Sequence, residues 1–364
     1  MSGTIPCTRV GLAEDADSVH AAIARVVDSR WYVLGPEVEA FEAEFASASG
    51  ARHAVGVGNG TDAIAIALRA LGVGPGDEVI TTPLSAAYTA LAVRMLGAIP
   101  VFADIDAARF TIDPDKVERA ITPKTRALLP VHLYGQAAEM TRLEAIASRY
   151  HLAMVEDCAQ AHLATVDGQP AGTIGHAGTF SFYPTKNLGA LGDGGAIVTN
   201  DSALAETMKR LRNGGQSTRY RHDVAGVNSR LDELQAAVLR ARLPYLPAWT
   251  EARRRIASSY RERLAGSHLT LPAEIAPGHV YHLFVVQSSR RDALQAHLKA
   301  QGIETLIHYP FPIPEQPAFA DTPSVACPAT KAACQMILSL PMFPQLTDAA
   351  ITRIADAVYS FEEA

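Results

Sequence analysis

The chain has 364 residues, of which 48% are hydrophobic and only 19% charged. The usual charged share is about 25%, so a large buried core is required and a disordered or low-complexity chain is excluded. The net charge of −6 argues against a general nucleic-acid binder, which carries a basic surplus. At roughly 150 residues per domain, this length predicts two domains.

The first residues, MSGTIPCTRVGLAED, lack a basic start followed by an apolar run, so no signal peptide is expected. No apolar stretch approaches the roughly 18 residues of a membrane span. Cys7, Cys158, Cys327 and Cys334 have no C-x-x-C spacing for zinc or redox chemistry, and no metal site is expected. Such scattered cysteines suit reduced thiols in a cytoplasmic protein.

Short apolar runs then recur at His53–Gly58, Glu78–Pro83, Ile99–Ile105, Arg126–Tyr134, Leu152–Asp157, Ala177–Tyr183 and Gly195–Thr199. Their Val, Ile, Leu and Phe content predicts buried strands. Helical spacing lies between them at Thr61–Leu71, Ser85–Leu96, Asp113–Ile121 and Glu139–Tyr150. Strand alternating with helix predicts an α/β fold whose mostly parallel sheet is covered on both faces. The last two strands have no helix between them, so one antiparallel strand is expected. Leu231, Leu234, Val238 and Leu239 form an apolar helical stripe, and a second helix is expected over about Pro247–Leu264. Beyond it, strands are expected at His279–Val286 and Ile303–His308, and helices at Arg291–Gln301 and Thr347–Phe361. Tyr309–Pro317 holds four prolines and cannot be regular. The composition shift places a domain boundary near residue 250, dividing the chain into 1–250 and 251–364.

Three segments can carry chemistry. GVGNGTDA, Gly56–Ala63, follows a strand and opens a helix. Its backbone N–H groups can approach a phosphate, although an ordinary strand-to-helix turn has the same glycines. A dinucleotide fingerprint needs a further glycine where Thr61 stands. MVEDCAQAH, Met154–His162, ends a strand in Glu156-Asp157, and the carboxyl ends of parallel strands are where open α/β folds bind ligands. The third is GTFSFYPTKNLGALGDGGAIVTND, Gly178–Asp201. The chain has six lysines, and Lys186 alone lies between an aromatic strand and a glycine-rich loop. Enclosure there would desolvate it, lower its pKa and free the amine as a nucleophile. A phosphate cradle, a strand-end Asp and an enclosed Lys are together what pyridoxal 5′-phosphate (PLP) requires.

Taken with these, GDEVITTP, PVFADID, VHLYGQ, NSRLDELQAAVL and IHYPFPIPEQ make the chain resemble the DegT/StrS group of PLP-dependent sugar aminotransferases over nearly its whole length. The resemblance implies the aspartate-aminotransferase type of fold, a large PLP domain and a smaller α+β one. It implies a homodimer with active sites at the subunit interface, and neither nucleic acid nor membrane as partner. Carried over residue by residue, Lys186 is the Schiff-base lysine and Asp157 the partner of the pyridine nitrogen. Gln160 donates to the ring oxygen. Gly60, Thr61 and Ser181 hold the phosphate, and Asn228 reaches it from the other subunit. Family members usually place an aromatic or His side chain over the ring where this chain has Ala86, so either Tyr88, two residues on, stacks there or the ring is covered differently. A lysine at 186, rather than histidine, favours transamination over dehydration.

The amino donor that the resemblance implies is glutamate. Lys209, Arg210, Arg212, Arg219 and Arg221 form a cationic stretch in an acidic chain. It is either a solvated loop or an electrostatic lid over a sugar-nucleotide diphosphate. Arg219, Tyr88, His308 and Tyr309 are the expected substrate contacts. The NSRLDELQAAVLRARL segment with NGTDA and RNGG is closer to the branch that aminates C3 of dTDP-3-keto-6-deoxyhexoses. The C4-aminating branch and a non-catalytic regulator on the same fold are the alternatives.

Overall fold

The computed structural model describes residues 3–273, 277–323 and 326–362. Two helices come first, α1 (Ala16–Ser29) and α2 (Pro36–Ala48). The sheet strands and their helices follow as β1 (His53–Val57), α3 (Gly60–Ala70), β2 (Glu78–Thr81), α4 (Tyr88–Arg94), β3 (Ile99–Phe102), α5 (Pro114–Ala120), β4 (Thr125–Leu129), α6 (Met140–Arg149) and β5 (Ala153–Asp157). A small hairpin, β6 (Thr165–Val166) and β7 (Gln169–Pro170), precedes β8 (Ala177–Ser181) and β9 (Gly195–Thr199). Seven strands form one sheet in the order β1-β9-β8-β5-β4-β2-β3. The strand β9 runs antiparallel to both β8 and β1, and the other pairings are parallel. The expected single antiparallel strand is therefore β9. The strands were legible because both faces are covered, which demands unbroken apolar runs; all five residues of β9 are buried.

Next come α7 (Ser202–Arg212), a hairpin of β10 (Gln216–Thr218) and β11 (Arg221–His222), α8 (Glu233–Arg242) and α9 (Leu246–Arg263). The buried Glu233 carboxylate accepts the Gly35, Glu37 and Val38 N–H groups at 2.8–2.9 Å. It thereby caps α2, placing an anion where the helix dipole is positive. The chain ends in β12 (Phe284–Gln287), α10 (Arg291–Ala300), α11 (Pro328–Met336), β13 (Ile337–Leu340) and α12 (Asp348–Glu362). Antiparallel β12 and β13 pack with α9, α10 and α12 around Tyr260, Phe284, Leu294, Leu338 and Ile354, joined by Ile5 from the N-terminal segment.

Residue 250 falls inside α9, whose Leu246 joins the aromatic core of the large sheet while Ile256, Ala257 and Tyr260 join the C-terminal one. The strand expected at Ile303–His308 is not formed. That segment makes only single bridges, Ile5 to Ile303 and Leu306 to Ser339, because Pro310 and Pro312 follow and break regular pairing. Among the described residues, no helix is long and apolar enough to cross a membrane.

Candidate active site

The carboxyl ends of β1, β2, β4, β5 and β8 face one cavity of about 1080 Å³. Asp157 closes β5 and is 4% exposed. Its N–H donates to the Pro130 carbonyl at 2.9 Å and its own carbonyl accepts the His132 N–H at 3.0 Å. Its Oδ1 accepts the Ala159 N–H at 3.1 Å, and Oδ2 accepts the Thr89 hydroxyl at 2.8 Å.

Glu156 points to the opposite face, as strand alternation requires. Its carboxylate is fully buried and accepts the Gly172, Ile174 and Gly175 N–H groups at 2.7–2.8 Å and His132 Nε2 at 2.9 Å. The Ala138 N–H donates to His132 Nδ1 at 3.1 Å, which puts the ring proton on Nε2. His132, Glu156 and Cys158 bring ligand-type atoms within 4.8 Å of one another. Both imidazole nitrogens and both carboxylate oxygens are spent on hydrogen bonds, and burial pushes the Cys158 thiol pKa up. The cluster is a structural lock under Asp157 rather than a ligand set.

The second wall is the N-terminus of α3. Asn59 caps it, its side chain accepting the Asp62 N–H at 2.8 Å. Gly60 and Thr61 open the helix, where N–H groups and the helix dipole favour an anion. A Cβ on Gly60 would lie 2.8 Å from Ser181 Cβ. Only glycine lets the end of β8 and the start of α3 meet here. Ser181 also lines the cavity.

The third wall carries Lys186, whose N–H bonds the Tyr183 carbonyl at 2.8 Å. Burial lowers its pKa to about 8, against the opposing pull of Asp157. Next to it, Asn187 Oδ1 meets His282 Nδ1 at 3.1 Å. Burial holds the His282 pKa well below its usual value and lowers His308 to about 4, with Lys186 adding to both. Two uncharged imidazoles thus share the cavity with the lysine and Asp157.

Gln160 is oriented by the Tyr134 N–H, which donates to its Oε1 at 2.7 Å. The amide Nε2 is thereby turned outward as a donor, and meets the Tyr309 hydroxyl at 3.1 Å. Burial raises the Tyr309 pKa to about 12, with the Gln160 bond opposing and Asp157 adding. The Tyr134 hydroxyl donates to the His308 carbonyl.

Of the residues singled out from sequence, Gly60, Thr61, Tyr88, Asp157, Gln160, Ser181, Lys186, His308 and Tyr309 line this one cavity. Tyr88 stands at the start of α4, 65% exposed, and Ala86 lines the wall beside it. Asn228 and Arg219 are not among the lining residues. Asn228 is exposed and bridges to Asn213, while Arg219 lies at the tip of the β10–β11 hairpin, its guanidinium 5.0 Å from the Tyr220 ring centroid. Thr89, Ser85, Tyr183 and His282 belong to the cavity without having been picked out from sequence. No local pattern marks them, since each arrives by a tertiary contact.

PLP presents an aldehyde, a ring nitrogen that works best protonated, and a phosphate. A weakly basic lysine, a fixed carboxylate and a helix N-terminus kept open by Gly60 complement those groups in turn. Fold and site together define the class of PLP-dependent aminotransferases of the aspartate-aminotransferase type. The comparisons narrow the class. The model of the DegT/DnrJ/EryC1/StrS aminotransferase family matches residues 14–359, and the chain belongs to that family. It is 49% identical to the dTDP-3-amino-3,4,6-trideoxy-alpha-D-glucose transaminase of Streptomyces venezuelae, over 94% of this chain and 92% of that one. It is 45% identical to the UDP-N-acetyl-3-dehydro-alpha-D-glucosamine 3-aminotransferase of Acidithiobacillus ferrooxidans, over 96% and 95%. Among solved structures, S. venezuelae DesV in complex with a ketimine intermediate superposes with a TM-score of 0.97 at 47% identity, covering all of both chains.

Proposed function

We propose that this aminotransferase moves an amino group from glutamate to C3 of a dTDP-3-keto-6-deoxyhexose. The observation that carries the reading is the convergence of Lys186, Asp157 and the α3 N-terminus on one cavity. The relatives named for C3 amination support the position of the new amine.

PLP, when bound, supplies an electron sink that stabilises the carbanion left when a substrate carbon loses its proton. Lys186 anchors the cofactor's aldehyde carbon. Its Nζ then takes the proton from the substrate carbon and returns it, and burial, which lowers the lysine's pKa, favours the neutral amine that this requires. Asp157 holds a carboxylate opposite the ring nitrogen and keeps that nitrogen protonated. Gln160 Nε2 orients the ring oxygen. The Gly60 and Thr61 N–H groups and the Ser181 hydroxyl bind the phosphate. His308, Tyr309 and Tyr88 line the side on which the sugar enters.

The working unit is a homodimer in this reading, and the cytoplasm is its compartment. Asn228 and Arg219 lie outside their own protomer's cavity and serve the partner's, Asn228 at the phosphate and Arg219 at the sugar-nucleotide diphosphate. Exposed Trp31, Tyr32, Tyr183, Leu191 and Tyr220 supply apolar surface that a second copy would cover. The PLP domain is built on 1–250 and the small domain on 251–364, with the junction inside α9 and Ile5 packed against the small domain's core.

Lys186→Ala tests the function. Loss of the bound cofactor's visible absorbance together with turnover is expected. Turnover near the wild-type rate in a folded variant would overturn the assignment.

A further inference from the structure

The hydrogen bonds around Asp157 go further than its own role. Thr89 lies on the first turn of α4 and is 2% exposed. Its hydroxyl donates to Asp157 Oδ2 at 2.8 Å. A hydroxyl has one proton, so Thr89 has none left for Ser85 Oγ, which lies 3.3 Å from Thr89 Oγ1. Ser85 must be the donor in that pair. The direction of the chain is thereby set as Ser85 to Thr89 to Asp157. Oδ1 is held independently by the Ala159 N–H at 3.1 Å. The two donors grip different oxygens and so restrain the plane of the carboxylate about the Cβ–Cγ bond. Ser85, Thr89 and Asp157 all line the cavity, so the relay is built into the cofactor wall.

We propose that Thr89, backed by Ser85, is a positioning residue for the cofactor: it aims the Asp157 carboxylate at the pyridine nitrogen and so sets how tightly PLP is held and how the bound ring is protonated. This rests on the reading of Asp157 as the partner of that nitrogen. No atom of Thr89 need touch a reacting atom for this.

The test uses the full chain, stripped of cofactor and titrated with PLP. Thr89→Val keeps the branched shape and removes the hydroxyl. Thr89→Ser keeps the hydroxyl and removes the methyl. Thr89→Val is expected to weaken PLP binding about tenfold or more, as loss of a hydrogen bond to a charged group does. It should also shift the pH dependence of the bound cofactor's absorbance, with Thr89→Ser near wild type in both. Ser85→Ala should move both in the same direction by less, and it carries the test if Thr89→Val does not fold. Asp157→Asn is the control on the underlying reading. Unchanged affinity and spectrum in Thr89→Val, with both altered in Asp157→Asn, would overturn the relay while leaving Asp157 in its role. Equal damage from the Val and Ser variants would overturn it in favour of methyl packing. No effect from Asp157→Asn would overturn both.

Discussion

Lys186 permits a prediction that needs no substrate. In the unfolded chain a lysine titrates at its ordinary 10.5, whereas in the fold Lys186 titrates at about 8 because burial disfavours its charge. Below pH 8 both states carry the proton, so the folded protein bears the whole cost of an enclosed ammonium. Between 8 and 10.5 the folded state releases its proton first, and stability rises with pH. Above 10.5 both states are neutral and the cost is gone. The gap between about 8 and 10.5 converts to about 3 kcal/mol at 1.36 kcal/mol per pH unit. This is an upper value, because the cavity is open to water, which screens the charge. Lys186→Met keeps the length of the apolar stem and removes the charge. Cofactor-free Lys186→Met is therefore expected to be more stable than wild type at pH 7, by up to about 3 kcal/mol, with the difference closing by pH 10.5. Urea denaturation of both proteins at several pH values reads it directly. Both must be stripped of PLP, since a ligand bound only by the folded wild type would mask the effect. A stability difference that stays constant across this pH range, or a less stable variant at pH 7, would refute the reasoning.

The lock under Asp157 and the Tyr134 hydroxyl on the His308 carbonyl can each be tested by a single substitution. Glu156→Gln removes the buried charge and puts its NH₂ group either against the Ile174 and Gly175 N–H groups or against the Gly172 N–H and His132 Nε2; it should cost about 3–5 kcal/mol, as breaking a buried charged network does, measured by chemical denaturation. Tyr134→Phe retains the ring packed on Phe110 and strips the donor from the His308 carbonyl. An unpaired buried carbonyl costs about 1–3 kcal/mol. Released as loop misplacement, that should raise the KM for the sugar nucleotide about tenfold while kcat and PLP affinity hold, as steady-state kinetics and PLP titration would report.

The large sheet and the reactive trio were legible for one physical reason: each is written locally. A strand covered on both faces is dominated by small and apolar residues: β9 is buried throughout, and β1, β5 and β8 at all but one terminal position. A glycine-rich turn before a helix and a carboxylate closing a strand are likewise contiguous in the chain. What escaped depends on distant partners. Thr89 reaches Asp157 across 68 residues of sequence, and Glu233 caps α2 from nearly 200 residues away. Nothing near either residue announces its partner. The helices expected at Arg291–Gln301 and Thr347–Phe361 form as α10 and α12, but one C-terminal strand differs from expectation for the opposite reason. Ile303–His308 has the composition of a strand but only isolated bridges, whereas β13 is four residues that follow directly on α11. Both are decided by which segment packs beside β12, and β13 does.

The central claim is that this cavity transfers an amino group to C3 of a nucleotide-linked keto sugar. It is tested by incubating the PLP-loaded enzyme with ¹⁵N-glutamate and a panel of 3-keto and 4-keto dTDP- and UDP-sugars, and locating the new amine by NMR. ¹⁵N is expected at C3 of a dTDP-3-keto-6-deoxyhexose. Label at C4, or no transfer to any 3-keto sugar nucleotide, would contradict it.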